Sequence, residues 1–88
     1  MKVVDFENEA VAFQTPVGKV WMDVYVQDGD VLCDWNQYIF MTDNSSDVAR
    51  SEFQDDVNNF ELLSSLAVQK LQEENIIRQD ENGKWFNV

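Results

Sequence analysis

The chain has 88 residues with 17 acidic and six basic side chains, a net charge of -11 and a sequence pI near 4.1. Its length fits a single domain over residues 1–88, and its hydrophobic fraction of 44%, with six Phe, three Trp and two Tyr, excludes a disordered acidic tail, which is poor in aromatic residues. The negative charge argues against direct binding to nucleic acid or to an anionic membrane, because both are bound through Lys and Arg, and it favours a basic protein as partner.

Strand composition dominates the first half of the chain. Segments rich in Val, Trp, Tyr, Phe and Ile predict β-strands at Glu9–Thr15, Val17–Gln27 and Val31–Met41. A weaker pattern at Lys2–Phe6 indicates either a further strand or a lead-in to the sheet. We therefore expect an antiparallel meander of three or four strands.

Two turns set the register of this meander. The segment Thr15–Gly18 suits a type I turn, and Asp28-Gly29 suits a two-residue type I′ hairpin loop, in which both residues have positive φ. Strand side chains alternate between the two faces of a sheet. The register therefore gathers one apolar face from Val11, Phe13, Val20, Met22, Val24, Val26, Val31, Cys33 and Trp35.

A helical period follows the loop-like segment 43–46. Apolar residues recur every three or four positions from Asp47 to about Ile76, which predicts one long helix or two short ones with a break or kink at Asn58-Asn59. Ser51 suits a capping box, and Ser46 or Asp47 suits an earlier helix start. The stripe expected to pack on the sheet comprises Phe53, Val57, Phe60, Leu63, Ala67 and Leu71, widened by Leu62 and Leu66.

The segment Ile76–Val88 predicts a last hairpin, with strand-like residues on both sides of the turn Asp80–Gly83. The predicted fold class is therefore α+β. It consists of an antiparallel three- to four-stranded meander with one face covered by one long or two short helices, plus the C-terminal hairpin.

The run LAVQKLQEENIIRQDENGKWFNV (66–88) resembles the end of a winged-helix domain, where a helix leads into a short hairpin wing. The resemblance implies that the helix would enter a DNA groove and that basic wing residues would touch phosphates. Only Lys70, Arg78 and Lys84 are basic in this run. The alternative is a plain C-terminal hairpin that completes the sheet.

The face opposite the apolar one carries two carboxylates directly across from each other. The register places Asp23 opposite Asp34, with Trp21 and Tyr25 on the same face. Like charges in this position cost up to about 1 kcal/mol, and Lys19 is two rows away. Either both carboxylates point into water, where screening makes the cost small, or this face meets Lys or Arg of a partner, with Trp21 and Tyr25 as anchors.

A second acidic group falls on the predicted helix. Glu52, Asp55 and Asp56 are spaced i, i+3 and i+4, which places them on one side of a helix, away from Phe53. They form either a solvated face or a negative stripe that loosely imitates a row of phosphates. The predicted partner-binding residues are therefore Trp21, Asp23, Tyr25, Asp34, Glu52, Asp55 and Asp56.

Catalysis and cofactor binding find little support. Without histidine and with the single cysteine Cys33, neither a zinc site nor a Ser-His or Cys-His nucleophile can be built. The segment 43–47 has the first three ligand positions of a calcium loop, but Val48 stands where the turn glycine belongs and Gln54 where a bidentate Glu belongs. We therefore expect no cofactor, no metal site and no enzymatic activity.

The sequence thus predicts a small acidic, non-catalytic protein-binding module that inhibits a basic nucleic-acid-binding protein. In charge and size it is comparable with the anti-restriction and anti-CRISPR inhibitors of phages and mobile elements. The alternative is an assembly domain that self-associates through an aromatic sheet face or a free edge, so either a monomer or a homodimer is expected. With no charged-then-apolar leader and no long apolar run, we expect a cytoplasmic location and no membrane contact.

Overall fold

The computed structural model describes residues 1–36 and 46–88. Four strands come first, β1 (Lys2–Glu7), β2 (Ala10–Thr15), β3 (Gly18–Gln27) and β4 (Asp30–Trp35). Two helices follow, α1 (Asp47–Asp55) and α2 (Val57–Glu73), and then the strands β5 (Ile77–Gln79) and β6 (Trp85–Asn87). The predicted α+β architecture is confirmed. The end of the third predicted strand (37–41) and most of the calcium-loop-like segment lie outside the described residues.

The strands β1 to β4 form one antiparallel sheet in chain order. In the loop between β3 and β4, Asp28 and Gly29 have φ values of 53° and 82°, as a type I′ turn requires. The turn leaves Asp23 opposite Asp34. The predicted registers of both hairpins are therefore confirmed, and Lys2–Phe6 belongs to a fourth strand rather than to a lead-in.

The helical segment is divided at Asp56, two residues before the predicted break. The Asp56 backbone is extended, with φ -76° and ψ 110°, and its side chain accepts a hydrogen bond from the Asn58 N–H, so Asp56 ends α1 and caps α2. Ser46 caps α1 by accepting a hydrogen bond from the Ala49 N–H. The capping box at Ser51 is wrong, because Ser51 lies inside α1. Neither described helix is long and apolar enough to cross a lipid bilayer.

The helix α2 packs on the inner face of the sheet, which we define as the apolar face that includes Met22. Its buried residues Leu63, Ala67 and Leu71 recur every fourth position and form one stripe. They join the buried sheet residues Val11, Phe13, Val20, Met22 and Val24 in a single core cluster. The helix α1 contributes Phe53, whose ring centre lies 6.0 Å from that of Trp35 on the same inner face.

Two residues of the predicted apolar stripe lie outside this core. Val57 is 62% exposed and Leu62 is 47% exposed. Val57 is the first residue of α2, so the break at Asp56 removes it from a continuous helical stripe. Leu62 precedes Leu63 by one position, which is a rotation of about 100° around the helix, and only Leu63 continues the buried spacing.

The C-terminal hairpin is confirmed, but it forms a two-stranded sheet of its own rather than completing the larger one. Asp80 Oδ1 accepts hydrogen bonds from the N–H groups of Asn82 and Lys84 and so closes the loop. The Trp85 N–H donates to the Gly29 oxygen at 2.8 Å. The hairpin is therefore anchored to the turn between β3 and β4.

Candidate protein-binding site

The outer face of the sheet, opposite the inner face, carries the four sheet residues that the sequence singles out. Trp21, Asp23 and Tyr25 come from β3 and Asp34 comes from β4. Because these positions alternate with the buried ones, their side chains project away from the helices. Tyr25 and Asp34 are exposed, whereas Trp21 and Asp23 are half-buried. The structure thus brings these four residues together on one open surface.

Hydrogen bonds accommodate the two facing carboxylates without a basic neighbour. Asp23 Oδ1 accepts a hydrogen bond from Asn36 Nδ2 at 2.9 Å, and Asp34 Oδ1 accepts one from the Trp35 N–H at 2.8 Å. Within residues 1–36 and 46–88, no ion pair joins either carboxylate to Lys or Arg. A carboxylate has about four acceptor sites, so each acid keeps capacity for a donor from outside.

Lys19 is engaged elsewhere on the outer face. Its Nζ lies 5.2 Å from the centre of the Trp21 ring and 3.9 Å from Asp5 Oδ2. The first contact is a cation–π interaction, so Trp21 already holds a cation of its own chain. Tyr25 lies opposite Leu32, and each of the two is 39% exposed, which makes this pair the more accessible apolar area.

An acidic depression adjoins the aspartate pair, and the sequence did not predict two of its acidic residues, Glu7 and Glu9. Glu7, Glu9 and Asp23 line it together with Asn8, Ala10, Tyr25 and Asn36. The pairing of Glu7 with Ala10, and of Ala10 with Asp23, places these residues in one row of the outer face. Ala10 has only a methyl side chain, so the row is low at its centre. The signal that could have found Glu7 is Asn8, a turn-forming residue between two strand-like runs.

The helical acids lie on the other side of the molecule. Glu52, Asp55 and Asp56 are exposed, but α1 belongs to the helical layer, since its Phe53 packs against inner-face Trp35. The structure therefore does not bring them together with the outer-face aspartates. Asp56 also differs from its expected place in a helical stripe, because it occupies the break and caps α2.

The single thiol is placed where its reactivity is low. Cys33 lies half-buried on the inner face, and its Sγ is 4.0 Å from the backbone carbonyl oxygen of Ser64. Burial raises the pKa of the Cys33 thiol above its ordinary value. The protonated thiol that results is a poor nucleophile at neutral pH. The described residues also contain no group of three or more Cys, Asp and Glu side chains arranged to hold a metal ion.

No protein-family model, curated protein or solved structure matches this chain. The features with the most direct chemical meaning are the Asp23–Asp34 pair and the exposed Tyr25–Leu32 pair beside it.

Proposed function

We propose that this chain is a small acidic, non-catalytic protein-binding module that inhibits a basic nucleic-acid-binding protein by occupying its DNA or RNA site. The observation that carries this proposal is the open outer face, where two carboxylates stand opposite each other next to exposed Tyr25 and Leu32. The charge of -11 supplies the long-range attraction to such a partner.

The outer face offers both components of a specific protein contact. Asp23 and Asp34 lie directly opposite each other on adjacent strands, a position in which the two Cβ atoms are about 5 Å apart. An Arg or Lys of the partner placed between them would relieve their repulsion and receive a charge-assisted hydrogen bond. Tyr25 supplies apolar area at a small entropic cost, as aromatic anchors of interfaces do.

The helical acids have a different part in this proposal. Glu52 and Asp55 lie on the helical side of the molecule, so they add to the overall field but not to the contact surface. Rim and remote charges act mainly on the association rate and its salt dependence. Neutralising them should therefore slow association slightly at low salt and leave the dissociation rate unchanged.

Self-association through the aromatic sheet face or a free sheet edge is the alternative, and two features of the chain oppose it. On each edge strand an aspartate accepts a hydrogen bond from the N–H of the next residue, Asp5 from Phe6 and Asp34 from Trp35, which removes one donor per edge from strand pairing. Two copies would also each carry a charge of -11. We expect a monomer in light scattering at physiological salt, and a stable homodimer there would favour the assembly hypothesis.

Affinity capture from a bacterial lysate tests the proposed function. The protein is immobilised, the bound fraction is eluted with rising salt, and parallel columns receive added duplex DNA or single-stranded RNA. We expect a basic nucleic-acid-handling protein that is released by salt and displaced by nucleic acid. Recovery of only neutral or acidic proteins, or retention that salt and nucleic acid leave unchanged, would contradict the proposal.

A further inference from the structure

A groove runs between the edge strand β4, the helix α2 and the C-terminal hairpin. Its volume is about 550 Å³, and its walls include Val31 and Cys33 from β4, Phe60, Ser64 and Val68 from α2, and Trp85 from β6. The rim on the side of α2 and the hairpin carries the uncharged residues Gln69, Gln72 and Gln79. The groove is thus mainly apolar and lies directly beside a sheet edge.

The hydrogen-bonding pattern of β4 leaves two of its residues with backbone N–H and C=O groups that point toward this groove. A two-residue hairpin makes the flanking pair Gln27–Asp30 a hydrogen-bonded one, and such pairs alternate along the ladder. The Asn36 N–H donates to the Trp21 oxygen, which fits this phase. The backbone groups of Val31 and Cys33 therefore point away from β3.

Within the described part of the chain, no strand pairs with that edge of β4. The backbone N–H of Trp35 also points away from β3, but it already donates a hydrogen bond to the Asp34 side chain. The available template is therefore short and centred on Val31 and Cys33. An added strand would lie about 4.8 Å from β4 and receive hydrogen bonds from these two residues.

The two sides of such an added strand would meet opposite chemistries. Side chains on its inner side would enter the apolar groove beside Phe60, Val68 and Trp85. Side chains on its outer side would lie next to Asp30, Leu32 and Asp34, which are exposed on the outer side of β4, so two of these three neighbours are acidic. Because strand side chains alternate, the matching segment alternates between apolar and basic residues.

We propose that the edge of β4 and the adjoining groove bind an extended segment of the partner, with alternating apolar and basic residues, as a fifth strand of the sheet. This inference rests on the proposed function for the basic character of the partner and adds the form in which that partner is held. Apolar side chains of the segment fill the groove. Its Lys or Arg side chains offset the negative charge of Asp34 and Asp23.

The probe for this site is a synthetic octapeptide of alternating Val and Lys, compared with a peptide of the same composition in which the lysines are grouped. Nuclear magnetic resonance of the ¹⁵N-labelled protein reports the backbone amides. With the alternating peptide at saturation we expect the amides of Val31 and Cys33 to exchange with solvent at least tenfold more slowly. The grouped peptide should shift resonances of the outer face without protecting these two amides.

A pair of lysine substitutions in α2 separates the groove from overall charge. Val68→Lys places a cation in the groove, whereas Leu62→Lys adds the same charge at an exposed site of the same helix, away from the groove. We expect Val68→Lys to weaken binding of the alternating peptide at least tenfold and Leu62→Lys to weaken it less than threefold. Spectra of the free variants establish that each is folded.

The outcomes distinguish this inference from the proposed function. If both peptides bind equally and Val31 and Cys33 stay unprotected, the strand-addition proposal is overturned, while binding of a basic partner at the outer face stands. If neither peptide binds and no basic protein is captured from the lysate, both proposals fail. Protection of Val31 and Cys33 that rises with protein concentration in the absence of peptide would assign the edge to a second copy of the chain, which also overturns the proposal.

Discussion

The two faces of the sheet use the same strands for different purposes. Along β3, Val20, Met22 and Val24 are buried against the helical layer, while Tyr25 and its neighbours on the outer face remain partly or largely exposed. Alternation of side chains makes this possible, because a change at one position leaves the opposite face untouched. Stability and the proposed binding are therefore separable by single substitutions in adjacent positions.

The difference also explains why like charges are tolerated on one face only. On the inner face an unpaired carboxylate would lose its hydration and destabilise the fold by several kcal/mol, on the order of the penalty for burying an ion. On the outer face Asp23 and Asp34 keep contact with water and accept hydrogen bonds from Asn36 and Trp35. Their repulsion is thus small enough for the fold to tolerate, and a cation of a partner would relieve it.

The largest expected effect comes from breaking the inner face. Leu63→Ala removes a fully buried side chain under the sheet, and we expect it to lower the free energy of unfolding by about 3 kcal/mol. Leu62→Ala, at the exposed neighbouring position, should change it by less than about 0.5 kcal/mol. Urea denaturation followed by tryptophan fluorescence measures both. Equal losses would mean that α2 does not pack as described.

A smaller effect is expected at Asp56, the acidic residue that caps the second helix. Asp56→Ala removes the cap of α2, and we expect a loss of about 1 kcal/mol in unfolding free energy. Asp56→Asn should lose far less, because an Asn side chain accepts the same hydrogen bond. If the two variants are equally unstable, charge rather than capping explains the role of Asp56.

The smallest expected effect concerns Cys33, at the edge of the inner face. Burial raises the pKa of its thiol, so as the pH rises past 9.0 the unfolded chain releases the proton first and the folded chain retains it. Stability must then fall in alkaline solution. We expect the loss between about pH 7 and pH 10 to be smaller in Cys33→Ala than in the wild type. Identical pH profiles would contradict the burial of this thiol.

The sheet was predictable because its determinants are local. The residues Asp28 and Gly29 accept positive φ and so define the hairpin, and alternation then assigns every residue of β3 and β4 to a face. The Asp23–Asp34 pairing follows from these two facts alone. The sequence could therefore locate the aspartate pair and its outer-face neighbours residue by residue.

The helical break and the acidic depression were not predictable in the same way. Ser46, Asp47 and Ser51 all suit a helix start by residue type, and so does Asp56, which caps the second helix in the structure. Glu7 enters the site only through the pairing of β1 with β2, and the register shift between Val3 and Asp5 interrupts the alternating pattern that would identify β1 as a strand. With that pattern weakened, the turn-forming residue Asn8 is the main local signal for this pairing.

The proposal that the outer face, rather than net charge, carries binding is tested most directly by two variants of equal charge. Asp23→Asn/Asp34→Asn and Glu52→Gln/Asp55→Asn each remove two negative charges, and Asn retains the oxygen that accepts the bonds from Asn36 and Trp35. Capture of basic proteins from one lysate is quantified for both by mass spectrometry. We predict at least a tenfold loss for the sheet variant and less than a twofold loss for the helix variant. Equal losses, or a larger loss for the helix variant, would contradict the assignment of binding to the outer face.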